Sequence, residues 1–305
     1  MLHRTHKPGV GGSNPPLATI NKLIMSYNEL TIVINTFKSD EKIFSCIESI
    51  DQNIKIIIVE NSDNSEFKNN LENKYKNVTC YLTNENLGYA KGNNLGLSKV
   101  KTNYALILNP DTFLKKDAIE NFFKNVKNSL DFAIIGPAIQ EKKDRFNQSI
   151  KDEKNLIEVD YVKGFAMFLN LPQFERIGFF DENFFIYLEE IDLCKRLKKD
   201  GKKIYLDRSI IIDHLGASSH NKSIDFQMNL SRNWHWMWST FYFKKKYKGY
   251  FIALFEVLPK LASSVVKFLF FSLFNNKEKR KIYFQRFSGL INSISGKQSW
   301  YRPKF

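Results

Sequence analysis

Leu30-Thr31-Ile32-Val33-Ile34-Asn35 and Lys55-Ile56-Ile57-Ile58-Val59 are short, nearly unbroken runs of β-branched residues. Such runs are strands covered on both faces, as in the parallel sheet of a layered α/β domain. Between them Ile43, Phe44, Ile47 and Ile50 recur at helical spacing. The same alternation continues outward. Residues 78–82, 104–108, 133–139, 159–170 and 203–214 read as strands, and 65–75, 88–99, 118–129 and 189–200 as helices. Strands separated by helices predict right-handed βαβ units, a mostly parallel sheet and one domain over residues 25–221.

Polar clusters close several of these runs: Glu60-Asn61-Ser62, Asn109-Pro110-Asp111-Thr112, and Leu188-Glu189-Glu190-Ile191-Asp192, with His214 ending another. Carboxylates at strand ends do little for a core. At the carboxyl edge of an open sheet they can hold a metal and a phosphate. Each cluster also has a plain structural reading. Asn109-Pro110-Asp111 fits a type I turn, which favours Pro at its second position, and also a divalent-cation site. Glu60 could face a nucleoside or merely solvent. Asn86-Leu87-Gly88 through Asn93 offers free N–H groups and close backbone approach to a diphosphate, or simply a capped helix packed through glycine.

From Phe180-Asp181-Glu182 to Glu189-Glu190-Ile191-Asp192, five carboxylates sit among bulky aromatics. Partial burial there would raise a carboxyl pKa and make a better base. Asp192 and Arg196 have the spacing of an ordinary helical ion pair. A lone histidine is more often structural than a ligand, so His220 and His235 carry no functional expectation.

The net charge of +14 is unevenly placed. Residues 244–305 carry +12, residues 1–24 carry +3, and the rest −1, which argues against nucleic acid as the partner. Residues 1–24 lack an acid, apolar periodicity and the apolar core of a signal peptide. They read as a disordered leader, or as an extension ahead of a true start at Met25. Residues 141–155 read as a mobile polar loop. Cys46, Cys80 and Cys194 lack metal or disulfide spacing and read as reduced, buried thiols of a cytosolic protein.

Residues 222–305 read as a basic, aromatic helical tail. Within 250–274 a broad apolar surface carries one narrow stripe of Glu256, Lys260, Ser263 and Lys267. An interfacial amphipathic helix on an anionic membrane is the preferred reading, ahead of packing on the domain and of a spanning segment. Removing the tail at about Lys244 is then expected to leave a soluble domain.

Together these segments resemble family 2 glycosyltransferases of the GT-A fold, especially rhamnosyltransferase- and galactofuranosyltransferase-like members, over about 31–218. The resemblance implies a Rossmann-like α/β sheet with an amphipathic helical extension. It implies inverting transfer from a nucleoside-diphosphate sugar to a glycan or lipid-linked acceptor in envelope polysaccharide synthesis, on the cytoplasmic face of the inner membrane. Thr36, Glu60, Asn61, Asn86, Gly88, Asn93, Asn109 and Asp111 fall on the family's donor-binding positions. Asp111 and His214 fall on ligands for Mg²⁺ or Mn²⁺, and Glu190 on the base. Asp181, Glu182 and Glu189 fall near sugar or acceptor. Three positions depart from the family pattern, with Glu60 and Glu190 in place of Asp and Asn109 in place of the first metal-motif Asp. The competing readings are a catalytically degenerate, membrane-docked binding subunit and a nucleotidyltransferase. The latter usually needs a glycine-rich loop after the first strand, which Thr36-Phe37-Lys38-Ser39-Asp40 is not.

Overall fold

The computed structural model describes residues 27–39, 42–128, 130–138, 154–214 and 224–302. The leader, Met25, His220 and most of the polar loop at 141–155 lie outside them. Strands β1 (Leu30–Thr36), β2 (Lys55–Glu60), β3 (Val78–Leu82) and β4 (Tyr104–Leu108) form the parallel block, in the order β3-β2-β1-β4. Helices α1 (Lys42–Glu48), α2 (Ser65–Lys74) and α3 (Gly88–Leu97) make its crossovers.

The β1 run is apolar throughout because both faces are covered. Ile32 and Ile34 enter one core with Ile43, Leu71 and Phe122, while Val33 enters the other with Leu97, Ile107 and Leu193. Asn64 begins α2 by accepting a bond from the Phe67 N–H at 3.0 Å, satisfying a donor that a bare helix end leaves open.

The second half departs from the expected parallel sheet. β8 (Ala166–Asn170) runs antiparallel between β4 and β6 (Ile134–Ala138), and β6 then pairs parallel with β9 (Ile204–His214). Helix α4 (Ala118–Lys127) precedes β6 in sequence. The strand expected at 159–170 forms only from Ala166, since Lys163-Gly164 interrupts the apolar pattern. Two three-residue strands, β5 (Thr112–Leu114) and β7 (Leu156–Glu158), pair antiparallel with β9. They are too short to show a period in sequence. Helix α5 (Glu189–Lys199) precedes β9.

The expected tail does not stand apart. Helix α6 (Asp225–Lys248) buries Trp234, Met237 and Phe241, partly against α7 (Tyr250–Leu273) and α8 (Lys277–Ile294). Its other side bonds to the sheet domain. Ser239 Oγ donates to the Ile186 carbonyl at 3.0 Å, Tyr242 Oη to Asp181 at 2.9 Å and Tyr247 Oη to Asp192 at 2.8 Å. A cut at Lys244 would strip α7 and α8 from Met237 and Phe241, so the expectation of a soluble remainder is withdrawn. Among the described residues no helix is long and apolar enough to cross a membrane.

Candidate active site

The parallel register aligns three strand ends. Thr36 lies opposite Glu60, and Ile34 opposite Leu108, so Asn35-Thr36, Glu60-Asn61 and Asn109 share the carboxyl edge. There a cleft of about 150 Å³ is lined by Thr36, Asn61, Asn86, Gly88 and Asn109, all expected from sequence. Asn35, Tyr89, Phe185, Ile186 and Met228 also line it. Glu60 and Asn93 sit just beneath, both buried.

Amides build the floor. Asn35 Nδ2 donates to the Gly88 carbonyl at 3.0 Å, and Asn61 Nδ2 donates to Asn35 Oδ1 and to the Thr36 carbonyl. Asn61 Oδ1 accepts from the Leu87 N–H at 3.2 Å, tying β2 to the start of α3. Glu60 Oε1 accepts from Ser62 Oγ at 2.6 Å. Asn93 Nδ2 back-bonds to the Tyr89 carbonyl at 2.9 Å, a helix-internal use of that residue. Gly88 is required by its φ of +80°, and a Cβ there would lie 2.4 Å from Phe185.

Asn109-Pro110-Asp111 is a turn, closed by the Thr112 N–H and hydroxyl donating to the Asn109 carbonyl at 3.2 and 2.7 Å. The turn reading of this tripeptide holds, and it sets Asp111 immediately ahead of β5. Thr112 then pairs with His214 across β5–β9. Asp111 is only 3% exposed, its Oδ1 has no hydrogen bond, and His214 Nε2 lies 3.5 Å away. A buried carboxylate oxygen without a donor, facing an imidazole nitrogen, suits a divalent ion between them. Imidazole is a better ligand for Mn²⁺ than for Mg²⁺, which favours an all-oxygen shell. Among the described residues no third His, Cys, Asp or Glu joins them. The remaining ligands would therefore be diphosphate oxygens and water.

Glu189 and Glu190 open α5 immediately after two non-glycine residues of positive φ, Tyr187 (+75°) and Leu188 (+70°). Such backbone costs about 1–3 kcal/mol per residue and is held only where its surroundings enforce it. Burial raises the Glu190 pKa, opposed by N–H groups at the helix start and the charge of Lys163. Burial and then the neighbouring Glu190 push Glu189 well above its usual range, and Glu189 Oε2 has no hydrogen bond. Asp192 is paired with Arg196 at 2.8 Å and Lys246 at 2.7 Å.

The dipeptide Gly164-Phe165 joins the two halves. A Cβ on Gly164 would lie 3.7 Å from Glu190 Cβ, and the Gly164 carbonyl accepts from Tyr89 Oη. Phe165 stacks on His214 at 4.7 Å, and its carbonyl accepts from the Asn109 N–H at 2.8 Å. Glu190 and His214 thus contact adjacent residues, Gly164 and Phe165, while Glu190, Asp111 and His214 are not among the residues that line the cleft.

Against this geometry, residues 23–194 match the model for "Glycosyl transferase family 2", more than half of the chain. The chain belongs to that family. It is 27% identical over 220 residues to the low-salt glycan biosynthesis hexosyltransferase Agl10 of Haloferax volcanii, covering 65% of this chain and 69% of that protein. It is 24% identical over 197 residues to rhamnosyltransferase WbbL of Escherichia coli, covering 54% and 74%. Its fold resembles mannosyltransferase PcManGT of Pyrobaculum calidifontis, in complex with GDP-Man and Mn²⁺, with a TM-score of 0.57, 11% identity and 88% of each chain covered. It also resembles GalNAc-T7 with UDP, GalNAc and Mn²⁺, at a TM-score of 0.50 and 12% identity, covering 61% and 43%. The fold is GT-A, with a C-terminal helical region.

Two expectations about the sugar side change. Asp181 is committed on both oxygens, Oδ1 to Asn183 and Oδ2 to Lys246 and Tyr242, so it fastens α6 to the site loop instead of facing acceptor. Glu182 is exposed and lines a separate polar pocket with Lys91, Asn183 and Arg302. Sequence reasoning missed Asn35, Tyr89 and Phe185, although all three lie in or beside quoted motifs. Met228 and Arg302, whose Nε donates to the Asn86 carbonyl at 3.0 Å, left no signal in the sequence.

Proposed function

We propose that this family 2 glycosyltransferase transfers a sugar, with inversion, from a nucleoside-diphosphate sugar to a hydroxyl of a glycan or lipid-linked acceptor in cell-envelope polysaccharide synthesis. The observation that carries the reading is the carboxyl-edge cleft lined by Thr36, Asn61, Asn86, Gly88 and Asn109, with Glu190 against Gly164 and His214 against the adjacent Phe165, whose carbonyl bonds Asn109. Supporting it, the relatives named above include a hexosyltransferase of glycan biosynthesis and a rhamnosyltransferase.

Donor binds with its nucleoside toward Thr36, Glu60 and Asn61, and its diphosphate toward Asn109 and the start of α3. Asp111 and His214 would hold Mn²⁺ or Mg²⁺, which supplies neutralising charge to the leaving diphosphate. The acceptor oxygen forms the new bond to the anomeric carbon. The bond from that carbon to the diphosphate oxygen breaks, and its electron pair leaves with the nucleoside diphosphate. Glu190 takes the acceptor proton, at the start of a helix whose N–H groups support its ionised form. Tyr89 Oη donates to the Gly164 carbonyl, on the residue that also approaches Glu190.

The test is a donor panel, scored for transfer and hydrolysis with Mn²⁺, Mg²⁺ or EDTA. At least one sugar nucleotide should turn over in a metal-dependent way, and Asp111→Ala should abolish metal-dependent donor affinity in calorimetry. Binding without turnover across the panel and an acceptor library would instead favour the non-catalytic binding subunit. Donor affinity indifferent to both EDTA and Asp111→Ala would remove the metal role.

A further inference from the structure

Helix α7 packs through one side only. Ala253, Val257 and Ser264 are buried toward α6 and α8. At 100° per residue, Phe251, Phe255, Leu258, Val266, Leu269 and Leu273 fall on the opposite half. That half is apolar and open, with Phe251 74%, Phe255 70% and Leu273 84% exposed. Scattered surface apolar residues are ordinary, but a continuous face along a helix about 36 Å long marks an interaction surface.

The charges around this face say what covers it. Lys245 and Lys248 are exposed at the end of α6, where α7 begins, and Lys277, Lys279 and Lys281 are exposed where α7 gives way to α8. Glu256, the one acid within α7, is paired with Lys244 and with Lys248 at 2.6 Å, so it presents no bare negative charge. Lys260 and Lys267 lie off this face, round the helix toward the packed seam, where Lys267 sits over the Tyr283 ring at 5.2 Å. A second copy is a poor occupant, because facing α7 helices would bring together two segments of net charge +12. Among the described residues no helix is long and apolar enough to cross a membrane, and α7 carries Glu256, Lys260 and Lys267 within its 24 residues. Pro259 inside the helix donates no N–H to the preceding turn, leaving a carbonyl that an interface can hydrate and a hydrocarbon core cannot.

We propose that α7 is a membrane-docking helix, lying in the plane of an anionic bilayer with Phe251, Phe255, Leu258, Val266, Leu269 and Leu273 among the acyl chains and the flanking lysines on lipid phosphates. The site loop is tied to the same platform through the Ser239, Tyr242 and Lys246 bonds of α6, so docking sets the cleft at a fixed height above the lipid surface. That placement suits a lipid-linked acceptor. The surface itself is independent of the catalytic reading, and binding tests it without turnover.

Full-length protein is sedimented with vesicles of neutral phosphatidylcholine, or of phosphatidylcholine containing one third phosphatidylglycerol. The expected result is binding to anionic vesicles at least about tenfold tighter than to neutral ones, weakened by salt. Phe251→Gln/Phe255→Gln/Leu273→Gln removes three outward, exposed side chains and one edge-on ring contact, Phe251 with its neighbour Tyr250. It should cut vesicle binding about tenfold or more, with unchanged circular dichroism. Lys277→Gln/Lys279→Gln/Lys281→Gln should lose the preference for anionic lipid while keeping weak binding. A wild type that binds neither vesicle, or a triple apolar variant that binds as the wild type does, overturns the proposal. So does a wild-type dimer in solution that the apolar variant dissolves, because the face would then belong to a second copy.

Discussion

At the residue scale, the site depends on groups kept in unfavourable surroundings. Glu190 takes a proton only if its carboxylate is free at working pH, yet burial raises its pKa. Replacing it as Glu190→Gln keeps shape and hydrogen bonding and removes the base. Turnover should fall about 10²–10⁴-fold, while calorimetric donor affinity stays within about twofold. Wild-type turnover in that variant would place the base elsewhere.

Glu189 is costly in a different way. Its folded pKa lies above the unfolded value, so its contribution to stability is full below about pH 4.5 and is lost as pH rises. Glu189→Gln should therefore raise Tm by about 2 °C or more at pH 8 and change little at pH 4. An equal shift at both values would contradict a buried, reluctantly ionised carboxyl.

At the scale of elements, two contacts decide whether the site is assembled. Gly88 starts α3 in a left-handed conformation against Phe185. Gly88→Ala adds both backbone strain and overlap, costing about 2–4 kcal/mol, and it pushes Phe185 into the donor cleft. Denaturant unfolding should show the loss, and donor KM should rise more than kcat falls.

The last turns of α6 brace α5 and its approach. Lys246 reaches both Asp181 and Asp192 at 2.7 Å. Burial works against Asp181, but Lys246 and Asn183 hold its carboxyl below the usual range. Lys246→Met leaves both carboxylates short of a charged donor and should cost about 2 kcal/mol. If α6 only shields the domain, kcat would not change. If it positions the strained Tyr187-Leu188 turn, kcat falls without a change in donor affinity.

At the scale of the molecule, the C-terminal segment closes over the cleft. Arg302 stacks on Phe185 at 3.9 Å, and that ring also stacks on His235 at 4.3 Å. The Tyr301 carbonyl can only accept, so His235 Nε2 carries the proton, and Nδ1 accepts from Ser299 Oγ. Burial lowers the His235 pKa to about 3. Protons then bind the unfolded chain but not the folded one between about pH 6.5 and 3, so stability falls as pH falls through that window. One such group contributes about 1.4 kcal/mol per pH unit. Unfolding free energies measured from pH 7 to 4 should show that slope, and His235→Gln should reduce it by about one proton.

The amino-acid sequence by itself determined the parallel block. Runs such as Leu30–Thr36 and Lys55–Glu60 bury both faces, and a chain signals that locally. Its polar clusters at strand ends and helix starts drew attention to Glu60-Asn61, Asn86-Leu87-Gly88, Asn109-Pro110-Asp111 and Glu189-Glu190, while Thr36 and the individual roles came from the resemblance to family 2 glycosyltransferases. The sequence could not show that Thr112–Leu114 is a strand, that β8 runs antiparallel, or that Thr112 pairs with His214 across β5–β9. Those pairings link segments far apart in sequence and rest on burial shared between them, which no local pattern carries. The same holds for the C-terminal helices. Their composition announced an amphipathic, basic extension, but only tertiary packing decided which face of α7 is covered and that α6 braces the site. An apolar residue has the same preference for burial whichever neighbour buries it.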